Sequence, residues 1–164
     1  MACIKNIEIK LSKNMEQKVS TIISKEMVVG EWITITQKKI DGFAEIGGEY
    51  DWLHNEPDRC LKESPFAGKT IVQGNFLLSI HTAFVESLAL DNKYVKYGLN
   101  YGYNRIRFVQ PVTVGSKVRA TILLKEIIPK SETTCIITCD VTTEIKDNDS
   151  PALVADWLFY VQLN

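Results

Sequence analysis

The segment GGEYDWLHNEP gathers Glu49, Asp51, His54 and Glu56 within eight residues, directly after a pair of glycines and before Pro57. A carboxylate beside an imidazole is a general acid/base pair: the carboxylate acts directly or through a water, and the imidazole carries a proton near neutral pH. By spacing alone, the same residues also suit a solvated acidic loop with a hydrogen-bonded histidine. A second element is IVQGNF, where Gly74 opens an apolar run. The first N–H groups of a helix have no partner inside it and lie at the positive end of its dipole, so they suit a carbonyl oxygen that turns negative. Glycine there permits close approach of a ligand. Simple capping of the helix is the plainer alternative.

These residues need elements to position them. Thr36 predicts a cap for a helix over QKKIDGFAEI, whose Ile40, Phe43 and Ala44 share a face, and Gly47 and Gly48 end it. EWITIT before it reads as a strand, and Met15, Val19, Ile22 and Ile23 predict a short helix after Ser12. From Glu49 to Lys69 the composition is polar and irregular, with Pro57, Pro65 and Gly68 as breakers, and reads as a long loop of the kind that carries function or is disordered. Residues 74–90, GNFLLSIHTAFVESLAL, are apolar nearly all round, which predicts a helix buried in a core. Four β-rich runs follow, separated by turn clusters at Val114-Gly115-Ser116, Pro129-Lys130-Ser131 and Asp147 to Pro151. In the third run Cys135, Ile137, Cys139, Val141, Thr143 and Ile145 alternate with Thr138, Asp140, Thr142 and Glu144. A buried helix followed by long antiparallel strands implies an α+β fold with the sheet curved around the helix. The free edge of such a sheet invites pairing with a second copy, so a dimer is expected.

Composition narrows the function classes. A chain of 164 residues that is 45% hydrophobic and 24% charged fits one globular domain. Nineteen basic and twenty acidic residues give a net charge of -1, too balanced for a general nucleic-acid binder or an anionic-membrane protein. Of Cys3, Cys60, Cys135 and Cys139, the last two fall on one face of a strand and read as small core residues, not metal ligands. MACIKNIEIKLSK has no apolar stretch of signal-peptide type, and no run approaches the roughly 20 apolar residues of a membrane span. A cytoplasmic protein is expected.

FAEIGGEYDWLHNEPDR, then SPFAGKTIVQGNFLLSI and LNYGYNRIRFVQPVTVGSKVRA, together resemble the MaoC-like dehydratase family of hot-dog fold proteins. That family includes the (R)-specific enoyl-CoA hydratases, and the likeness is greatest to the branch related to nodulation protein N. It runs in order from about Trp32 to Leu163. The resemblance implies a single MaoC-like domain over residues 1–164, with 1–28 as an N-terminal extension. It also implies a long buried central helix wrapped by a curved antiparallel sheet, and two subunits pairing edge to edge. The family signature is an aspartate, four intervening residues and a histidine, acting on a thioester at the subunit interface. By position, Glu49 takes the place of the aspartate, His54 that of the histidine, and Asp51 a place where an amide is common. The resemblance makes the Gly74 N–H the oxyanion donor. It implies addition of water to the β-carbon of a trans-2-enoyl thioester, or the reverse dehydration.

The chain departs from the family pattern at three positions. Glu49 is one methylene longer than aspartate, Gln73 replaces the usual histidine before the glycine, and Asn75 replaces an apolar residue. A displacement of about 1 Å at a reacting centre costs on the order of a hundredfold. Either the site is retuned around Glu49 or Asp51, or it has lost hydration chemistry; Asn75 is a candidate extra donor. Thr82, two helical turns beyond Gly74, is a candidate to reach the carboxylate, or an ordinary hydroxyl. For substrate binding, Arg105 and Arg107 on one strand face and Lys69 are candidates for phosphate contacts, and Trp52 and Tyr50 for shaping the acyl pocket. His81 reads as a core or interface residue. No cofactor and no metal are expected, since neither a phosphate-binding glycine loop nor a ligand cluster is present. The implied partner is an acyl-CoA or acyl-carrier-protein thioester. A thioesterase of the same fold and a noncatalytic acyl-thioester-binding subunit of a biosynthetic complex are the alternatives.

Overall fold

The computed structural model describes residues 27–82 and 95–164. Among these residues six strands, all paired antiparallel, form one sheet: β1 (Met27–Val29), β2 (Ile33–Thr34), β3 (Val95–Phe108), β4 (Lys117–Pro129), β5 (Thr134–Ile145) and β6 (Leu153–Leu163). Their order is β1-β4-β5-β6-β3, with β2 beside β1 along β4. Among the described residues, four helices lie between β2 and β3: α1 (Gln37–Gly47), α2 (Trp52–Asn55), α3 (Pro57–Glu63) and α4 (Gly74–Ser79).

Period-two burial makes the sheet. In β6, Leu153, Ala155, Trp157, Phe159, Val161 and Leu163 are buried, while the residues between them are half-buried. In β5 the expected face of Cys135, Ile137, Cys139, Val141 and Thr143 is buried, and Ile136 and Thr138 on the opposite face of this middle strand are buried too. Trp157 anchors the core: its ring stacks on Tyr103 at 5.8 Å and its Nε1–H donates to Asn100 Oδ1 at 2.9 Å. Ile35, Ile40, Val72, Leu77 and Val112 belong to the same cluster as the sheet residues, which fastens the helical segment to the strands. Burying a side chain of this size contributes about 1.5–3 kcal/mol. Register shifts along β3, and one in β4, add the bends that curve the sheet.

The helix expected after Thr36 is α1, with Thr36 Oγ1 accepting from the Lys39 N–H and Ile40 and Ala44 fully buried. Gly48 ends it in the left-handed conformation (φ 69°), its N–H donating to Ala44 O, which any side chain would adopt with strain. Three expectations change in detail. EWITIT contributes only Ile33–Thr34 as strand, and β1 begins at Met27, inside the segment expected to be an extension. The stretch read as an irregular loop holds α2 and α3, because Asp51 caps the first and Pro57 opens the second. Within the helix expected over 74–90, the described residues form α4 and a tighter turn to Thr82; the remainder, and the helix expected after Ser12, lie outside the described residues.

Candidate active site

A one-turn helix carries the histidine. Asp51 Oδ1 accepts from the Leu53 N–H at 2.9 Å, which starts α2 and sets His54 in its final turn. The His54 ring is half-buried, and its Nδ1 lies 2.8 Å from Ile71 O. A carbonyl oxygen only accepts, so Nδ1 carries the hydrogen and the neutral ring keeps a lone pair on Nε2. The segment that supplies this carbonyl is zipped to the chain beyond β3: Val72 N–H donates to Val112 O and Val114 N–H to Thr70 O, both at 2.9 Å. Two residues later the chain turns into α4, so Gly74 comes to the same place.

His54 and Gly74 therefore line one cavity of about 300 Å³, together with Ile71, Leu77, Phe108 and Val112. The walls are apolar, which strengthens a hydrogen bond made inside. Gly74 meets a packing requirement there: a Cβ would stand 3.0–3.1 Å from three carbons of the Phe108 ring. A glycine here lets that ring lie close over the helix start, where a side chain would make the ring give by a few tenths of an ångström.

The other sequence candidates fall outside the cavity lining. Glu49 is exposed on the link between α1 and α2, and Asp51 is exposed and engaged as a cap. Glu56 and Tyr50 are exposed as well. Trp52 is half-buried beneath the Arg59 guanidinium, 4.5 Å from the ring centre. Lys69 and Asn75 are exposed, and the exposed Thr82 hydroxyl donates to Ser79 O, one turn back, at 2.7 Å. Arg105 faces Asp156 across the β3–β6 ladder at 3.5 Å, and Arg107 donates to Ile106 O. Gln73 is wholly buried, its Nε2–H donating to Ile40 O at 3.1 Å. His81 is a core residue: its Nε2 lies 2.7 Å from Thr143 Oγ1, and burial pushes its pKa down to about 4. Among the described residues, no three His, Cys, Asp or Glu side chains gather as a metal site would require.

Sequence reasoning passed over Phe108 and Gln37. Phe108 ends β3 and opens the FVQP run, where only the pairing of 70–72 with 112–114 reveals that it meets Gly74. Gln37 looks like an ordinary first residue of α1, but its Nε2–H donates to His54 O at 2.7 Å.

The sequence matches the family described as MaoC like domain over residues 18–145. The chain belongs to the MaoC-like family. Nodulation protein N of Rhizobium leguminosarum bv. viciae is 37% identical over 146 residues, covering 89% of this chain and 90% of that protein. The 3-hydroxyacyl-thioester dehydratase Z of Mycobacterium tuberculosis is 36% identical over 126 residues, covering 77% of this MaoC-like chain and 82% of its own length. Among solved structures, the monoamine oxidase regulatory protein of Archaeoglobus superposes with a TM-score of 0.71 at 23% identity, over 85% of this chain and 90% of that one. This likeness shows the fold, which is the hot-dog fold of MaoC-like proteins. No described helix is long and apolar enough to cross a membrane.

Proposed function

We propose that this MaoC-like protein is a hydratase/dehydratase of enoyl and 3-hydroxyacyl thioesters, carried on CoA or acyl carrier protein. The observation that carries the reading is a histidine whose Nδ1–H is engaged by Ile71 O, leaving Nε2 as a base in an apolar cavity shared with the start of α4. The family and the thioester dehydratase relative support it.

In the hydration direction, water oxygen bonds to the β-carbon while a water proton passes to His54 Nε2. The electron pair of the double bond moves toward the thioester oxygen, held by the Gly74 N–H, and collapses as the proton is delivered to the α-carbon. Water is added and nothing else is consumed. The family pattern assigns the orienting of this water to Glu49, which the structure leaves exposed outside the cavity lining. Asp51, tied to the Leu53 N–H, is a positioning residue at the N-terminus of α2. Phosphate contacts from Arg105, Arg107 or Lys69, acyl contacts from Trp52, and supporting roles for Asn75 and Thr82 belong to the same proposal.

A homodimer is part of this reading. β3 is an edge strand with Tyr97, Leu99 and Tyr101 between 45% and 64% exposed, and a second copy paired along it would cover them and shelter the site. Cys60, Cys135 and Cys139 are free thiols, which suits a cytoplasmic setting.

The test is loss of enoyl absorbance when purified protein meets crotonyl-CoA. Activity that vanishes in Glu49→Gln and His54→Gln but survives Asp51→Asn supports the assignment, because asparagine caps a helix as well as aspartate. No turnover on the CoA or carrier-protein ester overturns it. Thiol release from a saturated acyl-CoA would then mark a thioesterase, and binding without either reaction a noncatalytic subunit.

A further inference from the structure

We propose that Gln37, locked by Thr70, is a positioning residue that holds His54 in its base tautomer and orientation. The inference rests on the reading of His54 as the base. α2 is a single turn, too short to sustain itself, and its carbonyls need partners from outside. Leu53 O receives the Ile71 N–H at 2.9 Å, and His54 O receives Gln37 Nε2–H at 2.7 Å. The histidine is thus held at two points, its ring by Ile71 O and its peptide by Gln37.

The orientation of the Gln37 amide is set by its neighbours. His54 O and Asp41 Oδ1, at 2.7 and 2.8 Å, both accept only, so the nitrogen must face them. The oxygen then faces Thr70, whose hydroxyl donates to it at 2.6 Å. Thr70 is buried and precedes Ile71 directly, so a closed ring runs from Gln37 to His54, across to Ile71, back one peptide to Thr70 and home to Gln37. Asp41 extends it by accepting from Asn55 Nδ2 at 2.9 Å, which ties the last residue of α2 to α1. A ring of this kind fixes Nε2 relative to Gly74, and small misplacements at a reacting atom cost large factors in rate.

The experiment compares Gln37→Leu, which removes donor and acceptor, with Thr70→Val and Thr70→Ser. Two readouts are taken. One is kcat and KM for crotonyl-CoA; the other is the imidazole tautomer by nitrogen NMR, simple to assign because the chain has two histidines. The expected result is a fall in kcat of about tenfold or more in Gln37→Leu and Thr70→Val with KM within about twofold, and a shift of His54 away from the Nδ1–H form. Thr70→Ser restores both, and the double variant is no worse than either single change because the two act as one unit. An unchanged tautomer and kcat in folded Gln37→Leu, or losses that simply add in the double variant, overturn the proposal. If Gln37→Leu does not fold, Gln37→Asn, which keeps the amide but falls short of His54 O, takes its place. A wild-type protein that hydrates nothing overturns the functional reading instead, and the tautomer alone then decides this one.

Discussion

From Lys117 to Leu163 the chain is held by backbone ladders beneath an alternating apolar face, whereas from Thr36 to Ile80 its short helices are tied by single bonds from side chains to carbonyls. Gln37 reaches His54, Gln73 reaches Ile40, Lys39 Nζ reaches Thr34 O and Cys60 Sγ reaches Trp52 O. The sheet distributes its stability over many small contributions. The helical segment concentrates geometry in a few bonds, and it is there that a cavity with a histidine and a helix start is found. A change in one half should therefore cost stability, and in the other activity.

The largest expected effect breaks the two apart: His54→Gln lowers hydration by about 10³-fold with an unchanged melting temperature, checked by enoyl absorbance and calorimetry. Trp157→Ala does the reverse. It removes a fully buried ring stacked on Tyr103 and costs about 3–5 kcal/mol in urea unfolding. Protonation of His81 is a third probe, on the seam between the halves. Its folded pKa of about 4 lies below the ordinary value of 6.5, so the unfolded chain binds the proton more readily. Stability is therefore full above about pH 6.5 and falls as pH drops toward 4, by roughly 3 kcal/mol. A His81→Leu variant should lose that part of the acid dependence in pH-resolved denaturation.

Gly74→Ala sharpens the comparison at the site itself. The new methyl group meets the half-exposed Phe108 ring at 3.0–3.1 Å, which the ring relieves by a shift of a few tenths of an ångström, so turnover falls while stability changes by less than about 1 kcal/mol. The smallest effect expected is from Arg105→Ala, whose exposed contact with Asp156 contributes less than about 1 kcal/mol and leaves the melting curve nearly unmoved.

Much of the sheet was legible because its signal is local. The alternation of Cys135, Ile137, Cys139 and Val141 and the turn clusters between strands are properties of adjacent residues, and β4, β5 and β6 follow them closely. Thr36 and Gly48 bracket α1 for the same reason. α2 and α3 were read as loop because each is too short to show a period, and only Asp51 and Pro57 mark where they begin.

Sequence alone singled out His54 and Gly74 as candidates for chemistry of complementary kinds, since the imidazole and the helix-opening glycine are matters of residue type and local order. Tertiary structure decided that they share a cavity, that the hydrogen of neutral His54 sits on Nδ1, and that Phe108 and Gln37 stand beside them. The physical reason is distance along the chain. The bonds that join residues 70–72 to 112–114, and Gln37 to His54, connect positions that no window of sequence contains, and they form only when the sheet gives both partners a common surface.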